Sequence, residues 1–254
     1  MAAPRGPLAP LDLTHVLYDD SSWLSFALAL VTLSPILLMA SYAALAVQTR
    51  EYLVLAMWAG QFAGEGFNWV LKNIVKQDRP DESLGSGYGF PSSHSQYMGY
   101  FASFLMCHLY FRHQFATTGS GVVDVLWRGM VYLALVSWTG GVAYSRYYLG
   151  YHSVSQVLWG LGIGVGLGTT AYTLVELIPT RWPMSALGQF KAFLLTNPVS
   201  TWCQLRDGWA VWEDGGREDE WVRWRIRWEQ QRKRVKEKQV DGGANDNRLK
   251  RKLI

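Results

Sequence analysis

Residues 144–178 read YSRYYLGYHSVSQVLWGLGIGVGLGTTAYTLVELI. From Ser153 onward this is an apolar run longer than the roughly 20 residues that cross a bilayer core, and Pro179 closes it. Within it Gly160, Gly164 and Gly168 recur every four residues. At helical spacing they share one face, and faces of small residues let membrane helices approach closely. The glycines do not follow a G-x-G-x-x-G pattern and no strand precedes them, which excludes a dinucleotide-binding loop. The stretch is read as a membrane helix that packs tightly against a neighbour.

Four apolar runs precede it: Ser21 to Thr49, Glu51 to Lys72, Ser93 to Phe111 and Val125 to Ser145. Glu65 and Asn68 interrupt the second. The expected fold is all-α, a polytopic membrane helix bundle of about five spans over residues 21–178. A short segment, 1–20, comes before it, and a polar tail, 179–254, follows. The mean hydropathy near zero averages these unlike parts. The tail holds 16 of the 24 Lys and Arg, so the net charge of +4 belongs to it and not to a nucleic-acid-binding face. A basic tail beside membrane spans suits an anionic cytosolic leaflet.

Within the tail, REDEWVRWRIRWEQQRKRVKEK places Trp221, Trp224 and Trp228 at helical spacing, acids first and bases last. That order suits the helix dipole and predicts an amphipathic helix at the membrane interface. Residues 239–249 are expected to be disordered. The final KRKLI resembles a dilysine retrieval signal of endoplasmic reticulum proteins. Cys107 and Cys203 form no zinc spacing, and the five histidines make no ligand pair at helical spacing. No metal and no cofactor is expected.

Alternating spans put the N-terminus, the loop 73–92 and the loop 146–152 on one side of the membrane. Arg50, Arg112, Arg128 and the tail fall on the other, which the positive-inside rule makes cytosolic. Lys72, Lys76, Arg79 and Arg146 are then lumenal, against that rule, which suggests they are kept for function.

Three clusters therefore meet on one face: Lys72 to Pro80, Pro91-Ser92-Ser93-His94, and Ser145-Arg146 with His152. Lys72, Arg79 and Arg146 supply three cations, suited to oxygens that carry charge in phosphoryl transfer. Ser92 and Ser93 stand at a helix start, where hydroxyls and free N–H groups bind anions. Two histidines without a metal suit the roles of nucleophile and general acid. His108 and His113, which no motif surrounds, are read as packing residues.

The joint pattern K-x6-RP, PS-x-H and SR-x5-H resembles the three-part signature of the type 2 phosphatidic acid phosphatase superfamily, over roughly residues 50–178. The resemblance implies that Lys72, Arg79, Ser92 and Arg146 bind phosphate, helped by the backbone near Ser93 and His94. It implies His94 as proton donor to the leaving group. It implies His152 as the nucleophile, forming a phosphohistidine that water cleaves without a metal. Ser93 stands where that family usually has glycine, and Gln156 where it usually has aspartate. Gln156 lies one turn after His152 and can accept a hydrogen bond from the imidazole, but it offers no charge. Glu65, with Asn68, lies on the helix face of Lys72 and is a candidate acid, or simply an ion-pair partner of Lys72.

GEGFNWVLKN, YGFPSSHSQYM and YSRYYLGYHSVSQV are similar to the branch of the superfamily that acts on dolichyl diphosphate. That resemblance implies a lipid diphosphate substrate, a lumenal site in the endoplasmic reticulum membrane, a place in recycling the N-glycosylation carrier, and Gln156 as an ordinary residue of the branch. The alternatives are a broader lipid phosphatase for phosphatidate or sphingoid phosphates, and a non-catalytic membrane scaffold of the same fold.

Overall fold

A computed structural model describes residues 8–11, 16–80 and 87–252, with side chains for 16–80 and 87–234. The chain is helical apart from a two-stranded antiparallel hairpin, β1 (Leu8–Leu11) and β2 (Val16–Asp19). The hairpin lies in the segment 1–20, for which the sequence offered no element. The chain falls into two compact units, Met1–Asp207 and Gly208–Ile254.

The first expected span is broken in two, α1 (Trp23–Val31) and α2 (Ser34–Thr49). The cause is Pro35 in the first turn of α2, which has no N–H to give the Val31 carbonyl. The Ser34 hydroxyl donates to that carbonyl instead, at 2.6 Å, and itself accepts from Trp138 Nε1 at 2.8 Å. Thr32 is left at the break, almost fully buried.

The remaining helices of the bundle are α3 (Tyr52–Val75), α4 (Ser93–Phe111), α5 (Gly121–Tyr148) and α6 (Val154–Tyr172). Among the described residues, three stretches are long and apolar enough to cross a membrane: Trp23–Thr49, Gly121–Tyr148 and Val154–Arg181. With 24 and 19 residues, α3 and α4 have comparable length but more polar side chains. The reason in α4 is position. It is enclosed by α3, α5 and α6, and its buried Ser95, Gln96 and Ser103 face protein rather than lipid. Gln96 accepts from Asn68 Nδ2 at 2.8 Å and donates to the Gly64 carbonyl at 2.7 Å, joining α4 to α3. Asn68 thus serves as a bridge between helices.

The closest helix pair is α4 with α6. A Cβ on Gly160 would lie 2.6 Å from the Ser92 carbonyl oxygen. On Gly164 it would meet the Gln96 carbonyl oxygen at 2.2 Å, and on Gly168 that of Tyr100 at 2.5 Å. Gly99 answers from α4, with the Leu161 carbonyl oxygen at 2.8 Å. The backbones touch because these residues have no side chains. Gly162 and Gly166 point the other way, into open space.

Pro179 does not end the last span as expected. A π-turn over Thr173–Leu177 precedes it, and the helix resumes as α7 (Ile178–Arg181). Proline cannot donate to Val175; the Tyr52 hydroxyl donates to that carbonyl at 3.2 Å. The turn also buries Glu176, which pairs with Lys191 at 2.6 Å and Arg112 at 3.4 Å. Lys191 in turn contacts Asp207 at 2.7 Å. Through this network α8 (Ala186–Thr196), α9 (Pro198–Trp202) and the chain to Asp207 belong to the first unit. The first compact unit thus runs past residue 178 to Asp207.

The second unit holds a 3₁₀ turn (Gly208–Ala210) and α10 (Arg217–Lys252). Trp224 and Trp228 stack at 5.8 Å, with Arg225 and Arg232 over the Trp228 ring. The helix continues through residues 239–249, where disorder was expected. Each added residue extends an existing helix by one hydrogen bond, which is easier than starting one. The last two residues of KRKLI lie outside the described residues.

Gly164→Ala should cost about 1–3 kcal/mol through overpacking, read as a lower unfolding temperature in detergent. Gly162→Ala, facing open space, should leave that temperature unchanged or raise it.

Candidate active site

Two helix starts and two loops build the site. Ser92 caps α4, its hydroxyl accepting from Ser95 N–H at 3.5 Å and from the Ser95 hydroxyl at 3.0 Å. Ser153 caps α6 in a reciprocal box: its hydroxyl accepts from Gln156 N–H at 3.3 Å, and Gln156 Oε1 accepts from Ser153 N–H at 3.2 Å. The S-x-x-Q pattern is the sequence signature of such a box. The two starts are joined directly, Ser92 N–H donating to the Gln156 carbonyl at 3.1 Å.

The turn after α5 places His152. Gly150 adopts φ +83°, a left-handed conformation that glycine takes without strain. Tyr151 and His152 N–H both donate to the Arg146 carbonyl, at 3.1 and 3.2 Å. The other loop, after α3, closes where Gly89 N–H donates to the Gln77 carbonyl at 2.7 Å. Arg79 Nε donates to the Gly87 carbonyl at 3.2 Å. Gly89 lies flat on Gln156, where a Cβ would sit 2.8 Å from its amide nitrogen and 3.1 Å from Arg79.

The hydrogen bonds of Gln156 fix the tautomer of His152. Its Nε2 donates to the Asp78 carbonyl at 2.9 Å, which can only accept. Its Oε1 accepts from Ser153 N–H. The amide orientation is thereby set, and Oε1 is the atom 3.2 Å from His152 Nδ1. Nδ1 must carry the proton, which leaves Nε2 with its lone pair. Burial, then Arg146 and Arg79, push the imidazole down to about 3, against a smaller raising effect of Gln156. Burial likewise lowers the Arg79 guanidinium from its ordinary value. His152 is therefore uncharged at neutral pH.

Lys72, Arg79, Arg146 and His152 all lie within electrostatic reach of His94. The five residues are thus brought together, with Ser92 beside them at the cap of α4. Arg146 is buried; one terminal nitrogen donates to the Thr32 hydroxyl at 3.2 Å, and Nε has no hydrogen-bond partner among the described residues.

A cleft of about 410 Å³ reaches this cluster from the side. Pro35, Ile36 and Met39 of α2 and Phe62 of α3 form its apolar walls, and Ser93, His94 and Glu65 lie at its polar part. Ile36 and Phe62 are more than half exposed. Ser93 thus borders the cleft, while Ser92 caps the helix. Glu65 also borders the cleft, with Lys72 acting on it electrostatically. It takes no part in the hydrogen bonds of Gln156, and no ion pair between Glu65 and Lys72 forms among the described residues. Thr32, Tyr151 and Gly89 are the site components that sequence reading missed. Gly89 stands in the YGFPSSHS stretch, but Thr32 lies in an apolar run with no motif around it.

The PAP2 superfamily model matches residues 51–178. The chain is 37% identical over 198 residues to "Dolichyldiphosphatase 1" of Homo sapiens, covering 75% of this chain and 82% of that one. It is 34% identical over 190 residues to "Dolichyldiphosphatase" of Saccharomyces cerevisiae, covering 69% and 74%. A solved structure described as the first transmembrane PAP2 type phosphatidylglycerolphosphate phosphatase, from Bacillus subtilis, aligns with a TM-score of 0.50 at 24% identity. That alignment covers 61% of this chain and 78% of the other, and it speaks to the fold alone.

With its imidazole uncharged above about pH 3, His152 should impose no acid limb near pH 6.5 on kcat/KM, which reports the free enzyme. Arg79→Gln removes a cation that disfavours the imidazolium, so any acid limb should move to higher pH. A limb near 6.5 in the unaltered enzyme that is lost in Gln156→Leu would contradict this electrostatic reading.

Proposed function

The chain belongs to the PAP2 superfamily, and on that premise we propose that it is a membrane enzyme hydrolysing dolichyl diphosphate to dolichyl phosphate and inorganic phosphate. The observation that carries this reading is the hydrogen-bond lock on His152, which frees Nε2 as a nucleophile within a cluster of three cations.

In the proposed reaction His152 Nε2 attacks the terminal phosphorus. The bond from that phosphorus to the bridging oxygen breaks, and dolichyl phosphate departs with a proton from His94. Water then attacks the phosphohistidine, giving its proton to His94 and restoring His152. Lys72, Arg79, Arg146 and the N–H groups at the start of α4 hold the phosphoryl oxygens as their charge shifts.

The cleft supports the orientation. It reaches His94, the residue assigned to the leaving group, through apolar walls suited to an isoprenoid chain. A diphosphate also explains a neutral Gln156. Its leaving group is a lipid phosphate, which departs more readily than an alkoxide and asks less basicity of the nucleophile. The homologues' names give the substrate. The basic tail favours five spans with a lumenal site and a cytosolic C-terminal segment, and hydrolysis of dolichyl diphosphate would place the enzyme in the endoplasmic reticulum membrane, recycling the N-glycosylation carrier.

Purified protein in detergent should release phosphate from dolichyl diphosphate far faster than from dolichyl phosphate, and should do so in excess EDTA. His152→Ala should lower turnover by roughly 10³-fold or more without loss of fold. Equal efficiency on the two lipids would favour a broad lipid phosphatase. No release from any lipid phosphate would favour a scaffold.

A further inference from the structure

Arg146 is held from two sides by residues that the three motifs do not specify. Its guanidinium carbon lies 3.9 Å from the centre of the Tyr151 ring, within the range of a strong cation–π contact. Its terminal Nη1 donates to Thr32 Oγ1. What remains is the edge formed by Nε and the second terminal nitrogen, and Nε is buried without a hydrogen-bond partner among the described residues. That edge is the fork with which arginine grips two oxygens of one phosphate.

Tyr151 is itself pinned. Its hydroxyl accepts from Leu17 N–H at 2.8 Å, and it packs in a cluster with Ala29, Leu149, Leu17 and Tyr18. Leu17, Ala29 and Thr32 lie before residue 51, outside the stretch matched by the family model. The hairpin and the broken first span therefore form a buttress behind a guanidinium supplied by α5.

We propose that Tyr151 and Thr32 are positioning residues that aim the Nε edge of Arg146 at the substrate phosphate, with the N-terminal hairpin as their support. The face of the guanidinium is covered by the ring and one end is tied by the hydroxyl, so rotation about the side chain's last bonds is blocked. The fork is then aligned before substrate arrives, which spares the ordering cost of binding. This inference rests on the function proposed above for the phosphate it names.

The test uses the full chain in detergent, with inorganic phosphate binding followed by calorimetry and turnover followed on dolichyl diphosphate. Tyr151→Leu should weaken phosphate binding ~10-fold, the scale of a desolvated cation–π contact, and lower kcat/KM by at least as much. Tyr151→Phe keeps the ring and should restore most of both. Thr32→Val, similar in shape, should weaken phosphate binding ~3-fold, and neither Thr32→Val nor Tyr151→Leu should add more than ~2-fold to Arg146→Lys if each acts through Arg146. Phosphate binding unchanged in Tyr151→Leu, equal losses in Phe and Leu variants, or losses additive with Arg146→Lys would each overturn the proposal. Should Tyr151→Leu fail to fold, Thr32→Val alone and combined with Arg146→Lys decides the matter. If the unaltered protein releases no phosphate from the lipid, the proposed function fails, while the phosphate-binding series still reads the two positioning residues.

Discussion

The backbone contact between α4 and α6 sets the geometry of everything at the site. One helix begins at the Ser92 cap with His94 in its first turn; the other begins just after His152 and carries Gln156. Both starts must lie side by side to bring His94 and His152 to one site. Gly99, Gly160, Gly164 and Gly168 allow that approach, and the Ser92 to Gln156 hydrogen bond fixes the register at the end where it matters. Phosphate binding by a helix N-terminus needs only free N–H groups. Binding and attack together need two such starts in fixed relation.

Around this contact the backbone carbonyls that prolines leave without a donor are met by side chains, since unpaired backbone groups are costly in a membrane. Two prolines expose carbonyls within spans, and each finds a side-chain donor: Ser34 for Val31, Tyr52 for Val175. The first of these breaks leaves Thr32 beside Arg146. The second accompanies the π-turn that buries Glu176 against Lys191 and Arg112. Both deviations from regular helix thus supply a charged side chain with a fixed partner.

Much of this was legible in the sequence because membranes simplify reading. Apolar length gave the helices, and the four-residue glycine period gave the face on which α6 packs. The spacing of the three motifs gave the residues that cluster around His94. Other features were not legible for physical reasons. The break at Thr32 depends on which carbonyl Pro35 orphans, and the continuation past Pro179 depends on a tyrosine more than a hundred residues away. The ring of Tyr151 meets Arg146 only because the turn at Gly150 folds the chain back. Gln156 was read as a partner of His152, but its orientation follows from the Asp78 carbonyl, a backbone group that sequence patterns do not mark. Glu65 was an open candidate, and the structure places it on the cleft rather than beside Gln156.

Phosphoryl transfer is proposed to pass through His152 and not directly to water. Two in-line displacements at phosphorus restore the original configuration, whereas a single attack by water inverts it. The most direct measurement is the stereochemical course of hydrolysis, using a dolichyl diphosphate whose terminal group is an isotopically chiral thiophosphate, in isotopically labelled water. The account predicts net retention at phosphorus. Net inversion would contradict it.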